Sequence, residues 1–226
     1  MKFAKYIYWQ FNREDKLIDS LLISVSVGLV LLITRILYSH QLTLVFLVWN
    51  LFLAFVPLFI SRAVRSIGIF QKPGLISVPV FFLWLIFFPN APYILTDFYH
   101  LKQTDNVPFW FDMIVIALFA WNGLMIGFIT LKDMQHIISR KYSPKAGWIF
   151  TTIVILLGSF GIYIGRFLRY NSWDIFLVPY SLGSDLFNIL IYPLQHRTAY
   201  GMTIILTLFL FTSYYNFSRI TEAHKT

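Results

Sequence analysis

Residues 88–97 read FPNAPYILTD, and this stretch decides how the third long apolar segment of the chain is built. The apolar run that starts at residue 74 reaches Pro89 after about 24 Å of helix. Neither Pro89 nor Pro92 can donate a backbone hydrogen bond, and each disfavours helical geometry in the residue before it. We therefore predict a break between the two prolines, after which Pro92 starts a new short helix. The break either lines a binding cavity or forms a tight turn around Asn90.

The chain around this break has the composition of a protein that lies inside a bilayer. Of its 226 residues, 58% are hydrophobic and only 12% are charged, whereas an average soluble domain has about 25% charged residues. Six windows are long and apolar enough to cross a hydrocarbon core, which takes about 20 helical residues. These windows are residues 17–38, 42–61, 74–95 (broken at 89–92), 107–131, 146–167 and 198–217. We predict an all-α fold: a single integral membrane domain, residues 1–226, that forms a polytopic bundle of about six transmembrane helices with a broken third helix.

The positively charged residues indicate how this bundle is oriented. Thirteen of the 18 Lys and Arg residues lie at the N-terminus, in the connections at 62–72 and 132–145, and in the C-terminal tail. Because cytoplasmic loops carry the excess of Lys and Arg, both termini are expected in the cytoplasm and the protein in the cell (cytoplasmic) membrane. Residues 88–97 then face outward. The 132–145 connection is expected to lie as a loop at the lipid headgroups, and residues 174–195, apolar but interrupted by Pro and Gly, as an outer interfacial or re-entrant segment.

A second polar stretch, GRFLRYNSWD at residues 165–174, lies on the same predicted outer side. Its Arg166 and Arg169 are three residues apart and so project from adjacent turns of one helix. Planar guanidinium groups suit phosphate or carboxylate, which makes this pair a candidate site for an anionic headgroup. The alternative is structural, in which the two arginines form ion pairs with outer acidic residues, namely Asp97, Asp112 or Asp174.

Tyr93, Asp97 and His100 are spaced at i, i+4 and i+7 and so share one face of the predicted short helix. An aspartate three residues before a histidine can hold a metal ion or fix the tautomer of a histidine base. We therefore name Asp97, His100 and Asp112 as candidate catalytic residues. The same three side chains, together with His196, offer ligands to one divalent metal ion, which is the cofactor that the sequence suggests.

The candidate ligand-binding residues share a polar side chain and a place in one of the two stretches. They are Asn90, Tyr93, Arg166, Arg169, Asn171 and Asp174. Two further asparagines lie within apolar helices. Asn50 and Asn122 are expected to form interhelical hydrogen bonds rather than to line a pore.

Glycine spacing predicts close helix packing at two places. Gly123 and Gly127 form a GxxxG pattern in the fourth window, and Gly161 and Gly165 form another in the fifth. Because these two helices run in opposite directions, we expect the two patches at different membrane depths. Each patch is then expected to meet a different neighbour or a partner subunit.

Three motifs make the chain recognisable. They are WNLFLA at residues 49–54, FFPNAPYILTD at 87–97 and GIYIGRFLRYNSWD at 161–174. With these motifs the chain resembles a family of bacterial integral membrane proteins known only as a domain of unknown function. The corresponding family elements are WN-x-F/L-L-A, F-x-PNAPY-x-x-TD and G-x-x-x-GR-x-x-R-x-NSWD. The resemblance covers nearly the whole chain and implies membrane residence without implying an activity.

Three functions are consistent with these residues. The first is binding of a lipid headgroup, another anionic ligand or a partner in the cell envelope. The alternatives are a membrane-embedded hydrolase or transferase that acts on a lipid-linked or phosphate-bearing substrate, and a small transporter built round the broken third helix. Whether the protein is an enzyme is left open at this point.

The expected partners follow from the same residues. They are membrane lipids, an anionic lipid or polyprenyl-phosphate headgroup, and a second copy of the chain or another membrane subunit. The formal net charge of +8 is accounted for by topology and by attraction to anionic lipids. No nucleic-acid partner is expected, because the sequence carries no nucleic-acid-binding module.

Overall fold

The computed structural model describes residues 16–68, 74–101 and 107–223. Within these ranges the chain forms helices and no strands. The α-helices are α1 (Lys16–Ser39), α2 (Phe46–Ile67), α3 (Gly74–Phe87), α4 (Asn90–Tyr93), α5 (Phe109–Lys141), α6 (Pro144–Tyr163), α7 (Asp174–Leu177), α8 (Pro179–Ile191) and α9 (Arg197–Ala223). A 3₁₀ segment, Ile94–His100, follows α4, and a π-helical turn, Ile164–Leu168, follows α6.

Six stretches of the described chain are long and apolar enough to cross a membrane. They are Leu17–Ser39, Phe46–Ile67, Ile76–His100, Phe109–Lys141, Pro144–Leu168 and Arg197–Glu222. The predicted all-α polytopic bundle of six spans is therefore confirmed. Helix α5 is its central element, because 72% of its most apolar window is buried, against 22% to 44% for the other five.

The orientation of the bundle stays a prediction. Residues 1–15, Lys72, Lys102 and Lys225 contribute to the count of positive charges, and they lie outside the described residues. The end of the bundle that carries residues 88–97 is therefore named below by its residues rather than by a compartment.

The third span is broken close to where the prolines predict. Helix α3 ends at Phe87 and α4 starts at Asn90, two residues before the predicted start at Pro92. The chain then tightens into the 3₁₀ segment instead of continuing as an α-helix. The Asn90 side chain donates to the Phe87 carbonyl at 3.0 Å, so it satisfies an acceptor that the break leaves at the end of α3.

Both glycine patches pack against this break, so the expectation of different depths and different neighbours is wrong. A Cβ on Gly123 of α5 would lie 2.5 Å from the Ala91 carbonyl oxygen, and a Cβ on Gly161 of α6 would lie 2.7 Å from Pro89 Cγ. The expectation treated the helices as straight and independent. The break instead places residues 88–93 between α5 and α6, where only glycine permits so close an approach.

Helix α5 continues well past the predicted end of the fourth window at residue 131, through Lys141. The residues expected to form a loop at 132–145 are therefore mostly helical, and α6 begins at Pro144 with Ser143 as its cap. The hydropathy pattern ended the span at its first charged residues. Those residues have tertiary partners instead: Asp133 Oδ1, for example, accepts from Arg65 Nη1 of α2 at 3.2 Å.

Residues 174–195 form the short helices α7 and α8, whose apolar side chains are largely exposed. Ile189 is an exception, since it is buried against Tyr163 and Ala199. Interfacial placement of this segment stays a prediction. Asn122 does not form the expected interhelical hydrogen bond: its amide is buried, and the described residues offer it no partner.

Candidate functional site

Three parts of the chain meet at one end of the bundle: the start of α2, the α4–3₁₀ segment and the π-helical turn with the residues after it. We call this the motif end. They enclose a cavity of about 350 Å³, the motif-end cavity, within the range of about 300–1,000 Å³ that is typical of small-ligand sites. Its walls are formed by Trp49, Asn50, Leu53, Asn90, Tyr93, Tyr99, His100, Gly165, Arg166, Arg169, Tyr170 and Asn171.

Arg166 is at the centre of this site. Its Nη2 donates to Oδ1 of Asp97, and its Nε donates to the Thr96 hydroxyl at 2.9 Å. Its Nη1 lies 2.7 Å from His100 Nε2. Because a guanidinium group only donates, Nε2 accepts this bond, and the His100 ring that makes it carries its proton on Nδ1. The guanidinium carbon also lies 4.4 Å from the centroid of the Tyr93 ring, in a cation–π contact.

Asp97 lies behind the cavity wall rather than in it. Its side chain is completely buried, and both carboxylate oxygens are engaged. Oδ1 accepts from Arg166, and Oδ2 accepts from the Asn50 side chain at 2.8 Å. The interhelical hydrogen bond predicted for Asn50 is therefore present. The carboxylate ties α2 to the 3₁₀ segment and fixes the guanidinium beside the cavity.

Arg166 and Arg169 line the cavity at a place where the chain leaves α-helical geometry after α6. Gly165 lets the π-helical turn approach the Tyr93 ring, since a Cβ there would lie 3.1 Å from Tyr93 Cε2. Single π-helical turns within α-helices are frequent at functional sites. Arg169 follows the turn with a φ of 61°, and its N–H donates to the Ile164 carbonyl.

The left-handed backbone at Arg169 is unusual for a residue with a side chain. It costs about 1–2 kcal/mol relative to the right-handed region, and glycine avoids this cost. The Arg169 side chain is exposed and lines the cavity. In the described part of the chain it has neither an ion-pair nor a hydrogen-bond partner, unlike Arg166.

Hydrogen bonds connect the two motifs across the cavity rim. Asn90 Nδ2 donates to the Ser172 hydroxyl at 2.8 Å, which ties the helix break to the residues after α6. The Trp49 and Trp173 rings meet edge to face with centroids 6.5 Å apart. The two sequence motifs and the start of α2 therefore form one continuous site.

Two acidic residues that follow Arg169 in the chain, Asp174 and Asp185, accept hydrogen bonds from Asn171 and Tyr170. Asp174 Oδ2 accepts from the Asn171 backbone at 2.6 Å and from its side chain at 3.2 Å, and so closes the turn at residues 171–174 that precedes α7. Asp185 accepts from the Tyr170 hydroxyl at 2.8 Å. Neither carboxylate forms an ion pair with Arg169.

The structure brings together most of the residues predicted for the site. Six of them line the cavity: Asn90, Tyr93, His100, Arg166, Arg169 and Asn171. Asp97 contacts Arg166 from behind, and Asp174 accepts from Asn171 without lining the cavity. His196 lies before α9 and is not among the lining residues.

Asp112 belongs to a different ion pair. Arg35 of α1 donates to it twice, from Nε to Oδ1 and from Nη2 to Oδ2, both at 3.1 Å. This pair is as buried as the Asp97–Arg166 pair, with side-chain exposures of 1% and 7%. Asp112 therefore lies outside the constellation of Asp97 and His100.

The described residues bring no three His, Cys, Asp or Glu side chains together as a metal site. In particular, Asp112 and His196 do not join Asp97 and His100. The single divalent ion suggested by the sequence stays an untested prediction.

Sequence reasoning missed several parts of the site. Trp49, Leu53 and Tyr170 line the cavity and lie within the quoted motifs, but they were not named as site residues because their side chains carry no charge or amide. Tyr99 also lines the cavity and lies outside those motifs. An ion pair for Arg35 could have been predicted, because a charge inside an apolar helix needs a partner. The identity of that partner depends on how α1 packs against α5, which no local pattern encodes.

Comparisons with known proteins agree with the resemblance of the motifs. A family described as a protein of unknown function (DUF1361) matches residues 49–213. No curated protein and no solved structure matches the chain. The match includes all three motifs and every wall of the motif-end cavity, and it extends over well more than half of the chain. The chain therefore belongs to the DUF1361 family of proteins of unknown function.

Proposed function

We propose that the motif-end cavity binds an anionic group, a phosphate or a carboxylate, presented by a lipid headgroup or a polyprenyl-phosphate carrier. The observation that carries this proposal is the contrast between its two arginines. Arg166 has its charge matched by Asp97, whereas Arg169 lines the same cavity with no counter-ion in the described structure. A ligand that brings one negative charge would complete the site.

Arg166 supports this proposal because its guanidinium group is already oriented. Asp97, Thr96 and His100 each accept one hydrogen bond, which uses three of its five N–H groups. The Tyr93 ring covers one face of the same group. Little side-chain entropy is then lost when a ligand binds, and binding is stronger for that reason.

The backbone at Arg169 supports the proposal independently. A left-handed position after a helix favours glycine, yet an arginine stands there with its guanidinium group exposed at the cavity. Strained backbone of this kind persists where surrounding structure compensates for it, often at binding sites. The arginine therefore stands at the cavity despite a backbone cost that glycine would avoid.

The residues at the mouth of the cavity favour a ligand that sits at the membrane surface. Trp49 and Tyr99 are both strongly exposed, and both line the cavity. Tryptophan and tyrosine are enriched at the level of lipid headgroups, where one side of the ring is apolar and the other is wet. A headgroup would therefore enter the cavity without leaving the interface.

The hydrolase or transferase alternative has weaker support. A general base needs a free lone pair within reach of the substrate. In this structure His100 Nε2 accepts from Arg166, and both Asp97 oxygens are engaged. The transporter alternative stays a prediction. It would be tested by the accessibility of a cysteine at position 90 from the two faces of the membrane, since the chain has no native cysteine.

The test is a titration of the full chain in nonionic detergent with inorganic phosphate and with short-chain phosphatidic acid. We expect wild type to bind the lipid, and Arg169→Gln to bind it at least about tenfold more weakly, since one charge-assisted contact of about 1.5–3 kcal/mol is lost. Arg197→Gln is the matched control. Arg197 is also exposed and lies next to His196 at the start of α9, outside the cavity lining.

Two outcomes would overturn the proposal. One is the same affinity in wild type and Arg169→Gln. The other is an equal loss in Arg197→Gln, which would mean that binding depends on total charge rather than on this cavity. Binding of inorganic phosphate as tight as that of the lipid would retain the anion site but assign it to a soluble ligand.

A further inference from the structure

Three asparagine side chains line the motif-end cavity: Asn50 of α2, Asn90 of α4 and Asn171 after the π-helical turn. Each comes from a different one of the three chain segments that enclose the cavity. An asparagine amide carries two N–H donors on its nitrogen and two lone pairs on its oxygen. The asparagines therefore add acceptors to a cavity whose arginines can only donate.

The nitrogens of all three amides are already engaged. Each donates to a partner that accepts only: Asn50 to Asp97 Oδ2 at 2.8 Å, Asn90 to the Phe87 carbonyl at 3.0 Å and Asn171 to Asp174 Oδ2 at 3.2 Å. Because carboxylate and carbonyl oxygens cannot donate, these partners fix which atom of each amide is the nitrogen. The orientation of each amide follows from its hydrogen bond.

The oxygens of the same three amides have no partner in the described part of the chain. No hydrogen bond reaches Oδ1 of Asn50, Asn90 or Asn171 there. The oxygens of Asn50 and Asn90 are not among the buried unpaired atoms of the described residues, and Asn171 is an exposed residue. The cavity walls therefore carry three accessible side chains, each with an acceptor oxygen that no described protein group uses.

A phosphate or carboxylate alone does not use these oxygens. Both ionised groups accept hydrogen bonds without donating them, so they match the guanidinium groups and not an amide oxygen. A ligand that takes the place of solvent at an open acceptor, and does not donate to it, loses affinity. The ligand that fits best therefore brings hydrogen-bond donors together with its negative charge.

The cavity has room for such donors beside the anion. Its volume of about 350 Å³ is roughly that of twelve liquid waters at about 30 Å³ each. One phosphate or carboxylate group fills only part of that space. The remainder lies among the same lining residues that include the asparagines.

The charges favour hydroxyl groups over an ammonium group as these donors. Arg166 is paired with Asp97, whereas Arg169 has no ion-pair partner in the described structure. One phosphodiester charge balances Arg169. An ammonium group on the same ligand would add a cation beside the two guanidinium groups, and close like charges weaken binding. Hydroxyl groups donate without adding charge.

We propose that the ligand of the motif-end cavity is a polyol phosphate, in which a phosphodiester or phosphomonoester carries glycerol or a sugar. The inference rests on the proposed function, because the arginines bind the phosphate. It adds that the asparagine oxygens accept from the hydroxyl groups of the polyol. Lipid headgroups and soluble polyol phosphates share this chemistry, and the ligands of the experiment separate the two sources.

The experiment uses the full chain in a polyoxyethylene detergent, which has no polyol head group to compete for the cavity. It is titrated with short-chain phosphatidylglycerol and with phosphatidylpropanol, which has the same charge and a similar size but no headgroup hydroxyl. Phosphatidylethanolamine offers an ammonium donor instead, and glycerol phosphate offers the polyol without acyl chains. The comparison of these ligands needs only wild-type protein, so it does not depend on the folding of a variant.

Asn171→Ala removes one of the three acceptors. The backbone N–H of residue 171 donates to Asp174 Oδ2 at 2.6 Å and is kept, so the variant is expected to fold. Asn188→Ala is the matched control, because Asn188 of α8 is also an exposed asparagine and does not line the cavity. Arg169→Gln tests the anion contact in the same titrations.

We expect wild type to bind phosphatidylglycerol about tenfold more tightly than phosphatidylpropanol, the effect of two neutral hydrogen bonds. Asn171→Ala should bind phosphatidylglycerol about threefold more weakly and phosphatidylpropanol as wild type does. Asn188→Ala should match wild type for both, and Arg169→Gln should weaken both by the same factor. Tighter binding of glycerol phosphate than of phosphatidylglycerol would support the polyol site but assign it to a soluble ligand.

Equal affinity of wild type for phosphatidylglycerol and phosphatidylpropanol would overturn the inference, as would tighter binding of phosphatidylethanolamine. So would an undiminished preference in Asn171→Ala, or the same loss in Asn188→Ala. If Arg169→Gln still weakens both anionic lipids in those cases, the proposed anion site stands and only the polyol assignment fails. Unchanged binding in Arg169→Gln would instead contradict the proposed function and the inference with it.

Discussion

Two Arg–Asp pairs join transmembrane helices near the motif end, and they differ in the surroundings of their arginines. Arg35 and Asp112 pair through both oxygens, and Arg35 Nη1 also donates to the Gln41 carbonyl at 3.0 Å. Arg166 contacts only one oxygen of Asp97 and distributes its other bonds among neighbours that line or border a cavity. Arg35 uses four of its five N–H groups, whereas Arg166 uses three and lines a cavity with the rest.

The comparison teaches that a buried ion pair is not by itself evidence of function. Both pairs are similarly hidden from solvent, with exposures of 1% and 7% for Arg35 and Asp112 and of 8% and 0% for Arg166 and Asp97. Burial and residue type therefore do not separate them. What separates them is where the remaining hydrogen-bonding capacity of the arginine points.

The largest effect is expected when the Arg35–Asp112 pair is broken. Asp112→Asn leaves Arg35 buried without its counter-ion, and such a loss costs about 3–5 kcal/mol. Denaturant unfolding in mixed micelles would measure it. The double variant Arg35→Met with Asp112→Leu is the control, because an apolar replacement of a whole buried pair is often neutral. A loss below about 1 kcal/mol in Asp112→Asn would contradict the structural role of this pair.

Asp97→Asn should destabilise less and change binding in the opposite direction. Arg166 keeps its contacts with Thr96 and His100 and lines a cavity, so its charge is less isolated than that of Arg35, and we expect a loss of about 1.5–3 kcal/mol, that of one hydrogen bond to a charged group. Removal of a negative charge behind the cavity should raise its affinity for phosphatidic acid several-fold. Asp19→Asn, an exposed aspartate in the first turn of α1, should change neither quantity. Weaker lipid binding in Asp97→Asn would show that orientation of Arg166 outweighs charge.

The packing that creates the motif-end cavity is tested by Gly123→Ala. The new methyl group would lie 2.5 Å from the Ala91 carbonyl oxygen, so the helix break must move. We expect a loss of about 1–3 kcal/mol, as in other overpacked cores. Gly201→Ala provides the comparison, since nothing lies within 4 Å of its Cβ, and it should be neutral or slightly stabilising. Equal stability of the two variants would mean that this close approach is not required.

The smallest effect on stability is expected for Arg169→Gly. Glycine accepts the left-handed backbone without strain, so the free energy of unfolding should stay level or rise by up to about 1 kcal/mol. Lipid affinity should fall at least about tenfold in the same preparation. A clear loss of stability would instead indicate that Arg169 holds the fold together, as Arg35 does.

The fold was largely predictable because hydropathy dominates this sequence. Window length and composition predicted six spans, and two prolines predicted the break. The predictions that fail depend on long-range packing. The extension of α5 to Lys141 is stabilised by contacts such as Gln135 with Tyr214, and the glycine patches of α5 and α6 converge on residues 88–93 only because the third span is broken.

Most residues of the site were predictable from the sequence, but the partners of its charged side chains were not. Two motifs far apart in sequence were expected on one side, and their side chains do meet in one cavity. The pairing of each arginine with its aspartate was not predictable, because it depends on how the helices are rotated and on the π-helical turn after α6.

Native mass spectrometry of the gently solubilised protein tests the central claim most directly. The account predicts that wild type retains a phosphate-bearing lipid that Arg169→Gln loses, while Arg197→Gln retains it. A wild-type protein that carries no such lipid, or an Arg169→Gln variant that retains it fully, would contradict the assignment of the motif-end cavity as an anion site.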